Sequence, residues 1–98
     1  MRILGVDPGI ARMGWGVIEV QSARCKVQNY GCIETLAKLD PSERLKQIYN
    51  TLTKIIEKYK PDTMAVEELF FNTNAKTAFI VGQARGVILL NAAQKNIS

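Results

Sequence analysis

The sequence contains no histidine, which removes Ser-His-Asp and Cys-His nucleophile systems and every histidine-ligated zinc site. Cysteine is scarce too. Cys25 and Cys32 are too few for a four-cysteine zinc site or a disulfide framework. On one strand their odd separation would point them to opposite faces, so two reduced, structural thiols are expected. No apolar run approaches the roughly 18–20 residues that span a bilayer, and no basic segment followed by an apolar stretch opens the chain. That pattern predicts a cytoplasmic protein with no membrane partner. Acidic residues are missing from one region: from Phe71 onward Lys76, Arg85 and Lys95 occur without a carboxylate, so three of the four net positive charges lie there. A mild basic excess suits a nucleic-acid partner, although on charge alone a solvated helix face is the preferred reading.

What is present fits one globular domain over residues 1–98, with 47% hydrophobic and 22% charged residues. Arg2-Ile3-Leu4-Gly5-Val6-Asp7 reads as a buried strand ending in an acid and a Pro8-Gly9 turn. Residues 15–20 and 26–34 read as two further strands, completing a three-stranded antiparallel meander. Gly14 and Gly16 weaken the middle strand and suggest a bulge or a close approach by another backbone. Leu45, Ile48, Tyr49, Leu52, Ile55, Ile56 and Tyr59 then recur at helical spacing, with Asp40 or Ser42 as cap and Pro61 as stop. Thr63-Met64-Ala65-Val66-Glu67 is a strand, again ending in acid, and a long helix follows from about Ala75 to Asn96. The strand-helix-strand order predicts an α/β fold in which the first and fourth strands lie side by side and parallel. Gly82 and Gly86 share one helix face, where packing against the sheet is preferred to a dimer contact.

Two adjacent strands that each end in a carboxylate, Asp7 and Glu67, carry the candidate chemistry. At about 4 Å such charges repel by several kcal/mol at an effective dielectric near 20, and a divalent cation relieves that repulsion. With oxygen ligands and no histidine, Mg²⁺ or Mn²⁺ is the natural ion. Metal ions between carboxylates suit phosphodiester hydrolysis, where one ion activates water and a second stabilises the leaving oxygen. The plain alternative is two unrelated, hydrated acids at the sheet rim.

Ile3-Leu4-Gly5-Val6-Asp7-Pro8-Gly9, Gly14-Trp15-Gly16-Val17-Ile18, Val66-Glu67-Glu68-Leu69-Phe70, Asn74-Ala75 and Gly82-Gln83-Ala84-Arg85-Gly86 occur in that order. From Arg2 to about Asn96 this set resembles the N-terminal part of the RuvC family of bacterial Holliday junction resolvases. The resemblance implies a ribonuclease H-like fold, a homodimer, and a Mg²⁺-dependent endonuclease that nicks four-way DNA junctions in recombination and repair alongside a branch-migration motor complex. It makes Asp7 a metal ligand and catalytic residue, with Glu67 its partner. Glu68 competes, because Glu68-Leu69-Phe70-Phe71 repeats the acid-to-aromatic spacing; the register back from Gly82 to Gly86 favours Glu67, and a one-residue shift reverses the face. Phe70 matches an aromatic that enters the opened junction, and Asn74 and Lys76 stand where phosphate would be held. The family continues into a further strand and a helix with two more acidic ligands, which this sequence lacks. The C-terminal part of the fold is therefore missing, and the chain alone is expected to bind Mg²⁺ weakly and cut poorly or not at all. Two other readings are a non-catalytic junction-binding or dimerisation module and a nucleotide-binding lobe of the actin and sugar-kinase type, which would need a second lobe.

Overall fold

A computed structural model of the chain describes residues 1–68 and 75–97, the side chains of Ala75 and Lys76 excepted. The elements are β1 (Arg2–Asp7), β2 (Arg12–Gln21), β3 (Arg24–Glu34), α1 (Pro41–Tyr59), β4 (Thr63–Val66) and α2 (Ala75–Gln94). They build one sheet in the order β3-β2-β1-β4, with β1 antiparallel to β2 and parallel to β4. The expected meander and the parallel pairing of first and fourth strands are both present. Between β1 and β2 the chain turns so tightly that a Cβ on Gly9 would stand 2.2 Å from the carbonyl oxygen of Arg12. Only a residue without a side chain fits that turn, which begins directly after Asp7.

Strand register sorts the side chains into two faces. Leu4, Val6, Met13, Val17 and Ile33 all point to one face, where they are buried with Ile48, Leu52, Ile55 and Ile56 of α1 and Ala84 and Ile88 of α2. Both helices thus cover the same side. The opposite side carries Ile3, Ile18, Val27, Tyr30 and Ala65, and nothing among the described residues lies over it: Tyr30 is 77% exposed and Val27 58%.

The one register shift in the meander falls between Val17 and Ile18, opposite an extra residue, Gln28, in β3. This bulge lies just past Gly16, with its extra residue in β3 rather than in the strand that carries the glycines, and it overturns the parity argument for the cysteines. Cys25 pairs with Val20 and Cys32 with Gly14, six residues apart on β2, so both thiols share the uncovered face. They are free, as expected, and exposed rather than structural, and their separation along the sheet rather than opposite orientation keeps them apart.

α1 begins with Asp40 in the cap position, without a side-chain hydrogen bond, and Pro41 in its first turn. It ends where Lys60 turns left-handed (φ 48°) and returns its amide to the Ile56 carbonyl. α2 stops at Gln94, two residues before the expected end, because Asn96 is also left-handed (φ 57°) and the Ile97 amide folds back to Ala92. The preference for packing Gly82 and Gly86 against the sheet is not met: a Cβ on either would touch nothing within 4 Å.

Candidate active site

Parallel pairing of β1 with β4 brings their C-terminal ends together. Val6 stands beside Val66, and the Glu67 amide donates to the Val6 carbonyl at 3.1 Å, carrying the ladder one residue past the strand. Asp7 pairs with Gly14 on its other side. Register therefore puts Asp7 and Glu67 on one face, next to each other, and that face is the uncovered one. Glu68 lies beyond the last residue held by the ladder, so of the two competing acids it is Glu67 that meets Asp7.

The two carboxyls interact directly. Glu67 is pushed above the usual carboxylate range, first by a hydrogen bond with Asp7, then by the Asp7 charge, and least by desolvation. Both acids line a shallow trough of about 490 Å³ with Gly5, Gly14, Ala65 and Trp15. Gly5 and Gly14 leave part of its floor as bare backbone. Among the described residues no group of three or more acidic, cysteine or histidine side chains is assembled for a metal. The site consists of a pair.

Phe70 and Asn74 lie outside the described residues, as does the side chain of Lys76. Trp15 borders the trough through its place in β2 beside Gly14, but its side chain points to the opposite face from the acids, a placement not anticipated. Its signal was a lone tryptophan between Gly14 and Gly16. On the helix-covered face the indole lies over Gly31, where a Cβ would come within 3.0 Å of three ring atoms, and packs against Tyr59 with centroids 6.0 Å apart. No helix of the described residues is long and apolar enough to cross a membrane.

Comparison with known proteins gives this arrangement a lineage. The family model for crossover junction endodeoxyribonuclease RuvC matches residues 3–98. The crossover junction endodeoxyribonuclease RuvC of Alkaliphilus oremlandii is 55% identical over 96 residues, which are 98% of this chain and 58% of that protein. The RuvC protein of Moorella thermoacetica is 53% identical over 97 residues, covering 99% and 58%. A solved structure of T. thermophilus RuvC in complex with a Holliday junction substrate superposes with a TM-score of 0.92 at 28% identity, over 99% of this chain and 62% of that one. An Aquifex aeolicus PPX-GPPA enzyme superposes with a TM-score of 0.57 at 10% identity, a likeness of fold alone. The chain spans about three-fifths of the length of the curated relatives it matches. Sequence and fold agree, and the chain belongs to the RuvC family of crossover junction endodeoxyribonucleases.

Proposed function

We propose that the chain carries the first two acids of a Mg²⁺-dependent nuclease site that acts on four-way DNA junctions, with Asp7 and Glu67 as the metal ligands. The observation that carries this reading is their meeting on one face of adjacent parallel strands, close enough for Asp7 to push Glu67 upward. Such a pair fits a hard divalent cation: its donors are carboxylate oxygens, and a cation between them would offset the repulsion that raises Glu67. When bound, Mg²⁺ or Mn²⁺ supplies Lewis-acid activation of water and charge neutralisation at the phosphate. The residues themselves do the rest. The β1–β4 ladder fixes the backbone beneath both carboxyls, so that they face the same side of the sheet as neighbours. Gly5 and Gly14 leave the trough floor open to the sugar-phosphate backbone.

Phe70 is the aromatic proposed to enter the opened junction, with Asn74 and Lys76 holding phosphate beside it. A homodimer, contact with a branch-migration motor complex and a cytoplasmic location belong to the same reading. For the dimer, α2 offers Phe79, Gly82, Gly86 and Leu90 at helical spacing along one outward side, with Phe79 68% and Leu90 54% exposed. With two acids in place of a fuller set, the chain alone binds Mg²⁺ weakly and cuts poorly or not at all.

The test is a synthetic four-way junction incubated with Mg²⁺. The chain alone is expected to shift the junction without nicking it. A chimaera joining the chain to the C-terminal two-fifths of a family member is expected to nick it. In that chimaera Asp7→Asn should abolish cleavage by at least about 10²-fold while leaving binding intact. Undiminished cleavage by Asp7→Asn would remove Asp7 from the reaction, and a chimaera that binds but never cuts would leave a non-catalytic junction-binding module.

A further inference from the structure

On the helix-covered side of the sheet, away from the acids, residues of β2, β3 and α1 line a cleft of about 210 Å³. Trp15 and Tyr59 form its aromatic wall, Asn29 lies on the strand side, and Thr51, Lys54 and Lys58 stand along α1. The wall is fixed in place. The Asn29 amide donates to the Tyr59 hydroxyl at 2.5 Å, and Gly31 makes room for the indole. Lys58 holds its ammonium 5.3 Å from the centre of the Tyr59 ring.

The charge here is uncompensated. Ion pairs among the described residues are Arg2 with Glu19 and Arg12 with Glu34, and no carboxylate lines the cleft. The cleft is smaller than the roughly 300–1,000 Å³ of a site that encloses a whole small molecule. It takes a segment of a longer ligand instead, one with a flat ring and a flanking anion. We infer that this cleft is a second nucleic-acid contact, in which an unpaired base of single-stranded DNA lies against Trp15 and Tyr59 and its flanking phosphates meet Lys54 and Lys58. Sequence-tolerant stacking beside basic side chains is how single strands are gripped elsewhere, and the inference stands whether or not Asp7 and Glu67 hold a metal.

Trp15 is the chain's only tryptophan, so its fluorescence reports on the cleft directly. Titration of the intact chain with single-stranded hexathymidylate in EDTA is expected to quench Trp15 saturably. Lys54→Gln with Lys58→Gln should weaken binding about tenfold or more and lower the slope of log affinity against log salt by about 1.4, the loss of two phosphate contacts on a single strand. Absence of saturable quenching, unchanged affinity in the double glutamine variant, equal quenching by a blunt duplex, or tighter binding of a hexaglutamate peptide would each overturn the inference.

Discussion

Glu67 is held in an uncomfortable position, next to a second carboxyl and with no described cation beside it, and its behaviour with pH follows from that. Because its folded-state pKa is raised, the folded protein binds a proton more tightly than the unfolded chain, so stability falls as pH rises from the ordinary carboxylate range through the raised value. Glu67→Gln removes the ionisation. In EDTA the variant is expected to melt at a higher temperature than the parent at neutral pH, and at the same temperature once the pH is well below the ordinary carboxylate range. A variant that melts lower at neutral pH would show that the pair is not under repulsion. At this scale Asp7 and Glu67 were legible because each ends an apolar run, and their contact could be anticipated from chain order. The faces of Cys25 and Cys32 were not, because period-two counting fails across a bulge, and nothing about Gln28 announces one.

At the scale of the helices, α1 was the most readable: Ile48, Leu52, Ile55 and Ile56 of its apolar stripe are buried, Leu45, Tyr49 and Tyr59 are half-buried, and Pro61 follows its last turn. α2 was read less well, since Gly82 and Gly86 look like packing glycines and instead face open space. A methyl at Gly86 therefore meets no obstacle and should stabilise the helix. Gly86→Ala is expected to raise the unfolding free energy of the dilute monomer by about 0.5–1 kcal/mol in urea denaturation, while weakening any association that relies on close approach at that face. The surprise in α2 is Asn91, which is fully buried. Its amide donates to the Tyr49 carbonyl at 3.0 Å and to the Thr53 hydroxyl at 3.1 Å, and its oxygen accepts from the Lys95 ammonium at 2.7 Å. Tyr49 also donates its hydroxyl to Gln94 and faces the Lys95 charge. Asn91→Leu keeps the volume roughly but strands these partners, so a loss of about 1–3 kcal/mol is expected by urea denaturation. No sequence signal distinguished Asn91 from a surface asparagine, because its partners on α1, Tyr49 and Thr53, are 42 and 38 residues away in the chain.

For the molecule as a whole, both helices lie on one side of the sheet and the acids on the other. Helices packed on a partly parallel sheet were expected from the order of elements; that both would choose the same side could not be read from order alone. The two sides should respond differently to charge. Val27→Lys and Tyr30→Lys place charge where the native side chains are already mostly in water, and each should change stability by no more than about 0.5 kcal/mol. Val17→Lys, on the covered side at a fully buried position, should prevent cooperative folding. Thermal melts followed by circular dichroism separate the two cases.

The extra residue in β3 has a practical effect. By turning the strand over once, it places both sulfur atoms on the side that the helices leave open, about 20 Å apart at six strand residues. A maleimide reagent therefore finds two handles on the same surface as the acid trough and none on the other. Any molecule that settles over that surface should slow alkylation at both handles together, so the bulge equips the chain with its own footprinting assay.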